Sequence, residues 1–165
     1  MSDKREEQSV QALDEQFRDY AWSYFELHSG QRLKAFQFFI SLATALVGAL
    51  VVLAREDNAN AWTASLGVVL AFLAFVFWKL DCRTRRLVKN AEDALKFLDG
   101  RHILPDLDGA PHPLRIFARD DYFTKKAPRY PLWSGHFSYS RCFEWVFIVS
   151  GIAGVVSAVW WVFPT

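Results

Sequence analysis

The sequence predicts an all-α integral membrane protein: three transmembrane helices, a cytoplasmic N-terminal amphipathic helix and a cytoplasmic extension of the second span, assembled as an oligomer. Two observations carry this expectation. Residues 35–54, 59–78 and 145–163 are apolar runs of 20, 20 and 19 residues without Asp, Glu, Lys or Arg. At a rise of ~1.5 Å per residue each covers ~30 Å, the thickness of a bilayer hydrocarbon core. Positive charge is also unevenly divided. The connector 55–58 holds one basic residue, residues 79–141 hold 13, and residues 1–34 hold five. The positive-inside rule then places the N-terminus and 79–141 in the cytoplasm of a bacterial inner membrane, with the C-terminus outside.

The expected boundaries follow in chain order: 1–32 for the amphipathic helix, 33–78 for a hairpin of two spans, 79–141 for the cytoplasmic segment and 142–163 for the third span. Val10, Leu13, Phe17, Tyr20, Tyr24 and Leu27 recur at helical spacing, so residues 5–28 read as one amphipathic helix. Asp14 and Arg18 form an i,i+4 pair on it. Ser29-Gly30 either breaks this helix before the first span or is absorbed into one long rod. A charged opening and a 20-residue apolar run fit a signal anchor better than a cleaved leader. The four-residue connector forces spans one and two into an antiparallel hairpin.

The helical pattern continues past Trp78. Leu80, Leu87, Ala91, Ala94, Leu95 and Leu98 extend an apolar seam toward Gly100, a fitting C-cap, and Glu92 and Lys96 form an i,i+4 pair. Residues 100–140 differ in kind: they hold five of the six prolines and a Pro-Asp and an Asp-Gly turn signal, with room for one short helix over 113–122. Trp62 and Trp78 bracket the second span, and Trp145 and Trp160/Trp161 the third, each set ~24 Å apart, as interfacial aromatic belts require. Cys82 and Cys142 fall at cytoplasmic span ends and are expected to be free packing residues.

Transport chemistry usually needs an ionisable group inside the bilayer, and none of the three spans has one. That disfavours a proton-coupled carrier and leaves a passive pore open. Small and hydroxyl residues recur four apart: Ser41 and Ala45 flanked by Thr44 and Gly48 in the first span, Ser150, Gly154 and Ala158 in the third, and Gly67 and Ala71 in the second. Such stripes let helices approach closely. They serve packing within one chain, or contact between copies and the lining of a pore. Lipid and further copies are the expected surroundings, with a tetramer as the working assembly.

No metal or cofactor is expected. His28, His102, His112 and His136 are scattered, and Asp106-Leu107-Asp108-Gly109 opens like a calcium loop but lacks the closing glutamate, so it reads as a turn. No nucleophile–base pair, phosphate loop or paired-Cys motif appears, so no enzyme is expected. The cytoplasmic segment is the informative part. Arg83, Arg85, Arg86 and Lys89 precede Arg115, Arg119, Lys125, Lys126, Arg129 and Tyr130, interleaved with Phe117, Tyr122, Phe123 and Trp133. Charge for phosphates and rings for bases is what a single-stranded nucleic acid or nucleotide needs. Anionic lipid headgroups alone also call for juxtamembrane Arg and Lys.

The run Phe25-x-x-His28-x-x-Gln31-Arg32-x-x-x-Phe36-x-Phe38-Phe39 enters the first span, and Leu80-Asp81-x-Arg83-x-Arg85-x-Leu87 leaves the second. With the two-span hairpin and long cytoplasmic helix, they resemble small bacterial SLATT membrane effectors, including those of Hailong anti-phage systems. The resemblance covers about residues 20–100; the Pro-rich segment and third span depart from it. It implies an oligomeric channel that arrests infected cells, controlled by a nucleotide or nucleic-acid oligomer made by a partner nucleotidyltransferase. The alternative is a non-conducting membrane adaptor that recruits a cytoplasmic protein.

Overall fold

A computed structural model of the 165-residue chain describes residues 2–55, 60–101, 104–126 and 139–162. It is all-helical, with α1 over Ser2–Leu53, α2 over Asn60–Gly100, α3 over Ile116–Lys126 and α4 over Tyr139–Val162. Three helices, α1, α2 and α4, are long and apolar enough to cross a membrane. Ser29-Gly30 does not break α1. The Ser29 hydroxyl donates to the Glu26 carbonyl at 3.1 Å, inside the helix, so the residue most apt to compete with the backbone is satisfied without leaving it. The second apolar stretch likewise continues unbroken to Gly100. The short helix expected over 113–122 lies three to four residues later, at Ile116–Lys126. Before it, Leu107 and Ala110 exchange two backbone hydrogen bonds of 3.0 Å around Asp108 and Gly109, at φ 54° and 71°. Two consecutive positive φ values make this a tight turn of the kind Asp-Gly favours.

The chain divides into two compact units. One comprises Gly30–Arg85 with Phe137–Thr165, the other Met1–Ser29 with Arg86–His136. In the first, the core is aromatic: Phe39, Ala74, Phe143 and Phe147 are buried, with Phe36, Phe77 and Trp78 against them. Phe36 stacks on Phe143 with centroids 3.8 Å apart and planes 6° from parallel, and Phe39 meets Phe147 edge-on at 4.8 Å. Such pairs contribute ~0.5–1.5 kcal/mol each beyond the area they bury. Further along, α2 and α4 touch backbone to backbone. A Cβ added to Gly67 would lie 2.7 Å from the Gly154 carbonyl oxygen, and one added to Gly154 would lie 2.7 Å from the Ala71 nitrogen. Gly154 and Ala158 of the third-span stripe therefore pack against α2 within the chain. The first-span stripe does not: Ser41, Thr44, Ala45 and Gly48 are exposed, and nothing lies within 4 Å of a Cβ built on Gly48.

One charged cluster ties this unit together. Arg32 Nε donates to Asp81 Oδ1 at 2.6 Å, Nη2 to Asp81 Oδ2 at 3.1 Å, and Nη1 to the Ser140 hydroxyl at 3.1 Å. Its guanidinium also lies over the Phe143 ring, 5.1 Å from the centroid. Arg32 stands three residues before the first apolar stretch and Asp81 three after the second. An antiparallel hairpin thus brings them to the same level, and a fork-shaped guanidinium matches a carboxylate bidentately.

Candidate functional site

The second unit is built from the N-terminal part of α1, the C-terminal part of α2 and the Pro-rich segment with α3. Its α2 seam is Val88, Ala91, Leu95 and Leu98, all buried. Val88 takes the place that the sequence pattern gives to Leu87. Two ion pairs join α1 to the end of α2: Asp14 accepts from Arg101, the residue just after α2, at 2.5 Å, and Arg18 reaches Asp99 at 3.5 Å. They replace the expected Asp14–Arg18 pair along α1, because a charge on a neighbouring helix competes with one a turn away.

Between these helices runs an open groove of ≈ 580 Å³. Buried alanines make its floor, Ala21 from α1 and Ala91 from α2, with exposed Ala94 beside them, and their small side chains leave the space. Phe17, Tyr20 and Tyr24 form one wall and Phe97 the other, with the Asn90 amide and the Arg101 guanidinium among the lining groups. Tyr20 is 68% exposed and Phe97 71%, so these rings stand into solvent rather than into a core. The Tyr24 ring is steadied by an edge contact with His28 at 4.2 Å.

The basic residues expected to form one site are spread over several surroundings. Arg83 and Arg86 are exposed on α2. Arg86 stands one turn before Asn90, on the face that carries the groove residues. Arg85 approaches Glu144 at 3.9 Å. Lys89 donates to Glu92 at 2.8 Å and lies 3.6 Å from Asp121. The Glu92 hydrogen bond, then the nearby carboxylates, hold the Lys89 ammonium above its ordinary value of 10.5, against the opposing effect of burial. Lys96 pairs with Asp121 and Asp93 rather than with the expected Glu92. That contact pins α3 to α2, and the Lys96 hydrogen bond with the Lys89 charge depresses the Asp121 carboxyl below its ordinary 3.8.

On α3 the cations cover rings of their own helix. Arg119 lies over Phe123 at 5.5 Å and donates to the Pro111 carbonyl at 3.4 Å, and Lys126 lies over Tyr122 at 5.4 Å. Arg115 is half-buried and Lys125 exposed, while Phe117 packs edge-on against Phe25 at 5.3 Å. Arg129, Tyr130 and Trp133 lie outside the described residues, as do His102 and His136. Among the described residues no group of three His, Cys, Asp or Glu is placed to hold a metal ion. Sequence reasoning named Phe17, Tyr20 and Tyr24 as an amphipathic seam and overlooked them as a site. The available signal was the alanine content of the α2 seam, Ala91 and Ala94, small side chains for a helix that must pack against rings.

Together the three apolar helices, the helical unit outside the apolar stretches and its solvent-facing aromatic groove define an all-α, membrane-associated protein with a ligand-sized cleft. The chain is 32% identical over 142 residues to CD-NTase-associated protein 19 of Escherichia coli, which covers 86% of this chain and 87% of that protein. It belongs to the family of that protein. No family model matches the sequence, and no solved structure matches.

Proposed function

We propose that the protein is an oligomeric membrane effector of bacterial anti-phage defence, a pore whose opening is controlled by a phosphate-bearing ligand made by a partner nucleotidyltransferase. The relative's name attaches it to a CD-NTase, and the same association is proposed here. The observation that carries the ligand reading is the groove. Exposed Tyr and Phe rings offer stacking faces for a base, and the Asn90 amide offers a donor and an acceptor for its edge. Arg101 among the lining groups and Arg86 one turn before Asn90 supply charge for phosphates. This moves the centre of the site from Arg83 and Arg85 toward Arg86, Asn90 and Arg101. The exposed Ser41, Thr44, Ala45 and Gly48 face of α1 supports packing between copies around a pore. A ligand opens such a pore only through higher affinity for the open form.

The test is dye and ion leakage from vesicles carrying the purified protein, with and without the products of the partner enzyme. Leakage that depends on product, and is lost in a Tyr20→Ala/Asn90→Ala variant that still assembles, is the expected result. Vesicles that stay sealed under every condition end the pore reading. One observation favours a non-conducting adaptor instead: Val10, Leu13 and Phe17 are each about half exposed along α1, a stripe suited to a protein partner. Sealed vesicles together with co-purification of one soluble protein, abolished by Leu13→Asp, would establish that role.

A further inference from the structure

We propose that the groove between α2 and α4 holds an acyl chain of an anionic phospholipid, whose phosphate is bound by Lys79. The groove measures ≈ 420 Å³ and its floor is Ala74 and Gly151, where a Cβ on the glycine would stand 3.7 Å from that of the alanine. Phe75, Trp78, Ile148 and Ile152 form its walls. It runs along about two turns of α2 and nearly three of α4, within the stretches apolar enough to cross a membrane, so hydrocarbon is the solvent it meets.

The occupant is identified by the charge at one end. Lys79 Nζ lies 4.9 Å from the Trp78 ring centroid and 5.6 Å from that of Phe75, both walls of the groove. A lysine at this depth ordinarily extends toward water. Here the ammonium stands against the rings of two groove-lining residues, Phe75 and Trp78, and among the described residues it makes no ion pair. The nearest carboxylate in sequence, Asp81, is committed to Arg32. An apolar slot with a cation held at one end matches a molecule with a hydrocarbon tail and an anionic head. A second copy seated on the same face about an axis along the membrane normal would bring another Lys79 to the same depth, which like-charge repulsion opposes. The lipid site is independent of whether the protein forms a pore or binds a nucleotide.

The experiment is native mass spectrometry of the full chain released from nanodiscs of phosphatidylglycerol or of phosphatidylcholine, comparing wild type, Lys79→Gln, Lys79→Arg and Ile152→Trp. Wild type and Lys79→Arg are expected to retain one phosphatidylglycerol per chain. Lys79→Gln should retain it at least fivefold less often, and Ile152→Trp, which fills the slot from an exposed position, should lose it while folding normally. Equal retention of the two lipids, or retention indifferent to Lys79, overturns the proposal. So does efficient disulfide crosslinking of Ile152→Cys between copies in membranes, which would put protein where the lipid belongs.

Discussion

The two compact units use charge in opposite ways. In the unit of Gly30–Arg85 and Phe137–Thr165, Arg32 and Asp81 are 13% and 7% exposed and joined bidentately, next to stacked rings. In the other unit the pair Lys89–Glu92 is 52% and 23% exposed, and Asp121 is shared between two lysines. Chemically similar pairs therefore do different work. Removing one partner of a desolvated pair strands a charge, whereas exposed pairs are screened and cheap to break. The first unit is locked by its buried pair, with Arg85–Glu144 an exposed second, and the other unit is trimmed by exposed pairs while leaving an open groove.

That contrast is easiest to break at Arg32. Arg32→Ala should destabilise the protein by ~3–5 kcal/mol, measured by thermal unfolding in detergent, because Asp81 would be left buried and unpaired. The exchange Arg32→Asp with Asp81→Arg should recover part of the loss; no recovery would mean that the Ser140 and Phe143 contacts, not the charge pair, dominate. Next comes Gly154→Ala, expected to cost ~1–3 kcal/mol, since its Cβ would meet backbone on α2.

Asp121→Asn should cost below ~1 kcal/mol. Its carboxyl, followed by carbon-13 NMR, should titrate below 3.8, and Lys96→Met should raise that value. The sign follows from the depressed pKa: the contribution is present above the ordinary value and lost as pH falls through the lower folded value. The raised Lys89 acts oppositely, contributing fully below 10.5 and losing its contribution as pH rises through its folded value. Gly48→Ala should stabilise rather than destabilise, by ~0.5–1 kcal/mol of helix propensity, since nothing lies near that position. If it nevertheless alters the size of crosslinked assemblies, the open face of α1 lies between copies.

The long elements were legible because uninterrupted apolar runs of membrane length leave little choice but helix. The Asp108-Gly109 turn was legible for a local reason, positive φ at both residues. What escaped depends on pairs far apart in the chain. Arg18 turns to Asp99, and Lys96 to Asp121 and Asp93, so the i,i+4 partners Asp14 and Glu92 are both passed over. Arg32 and Asp81 stood in the motifs carrying the family resemblance, but only their equal distance from the two apolar stretches hints that they meet. The groove escaped because a seam of rings at helical spacing reads as core until the facing helix is known to present alanine.

The contact of Gly67 with Gly154 restricts how this family can vary over evolutionary time. When two side chains meet, as Phe36 and Phe143 do, enlarging one can be answered by shrinking the other, and the pair can drift together. Here the colliding atoms would be a carbonyl oxygen and amide nitrogens, which every residue carries. No second mutation makes room, so the two glycines should persist independently of one another and show no covariation, even among relatives whose aromatic core has been exchanged.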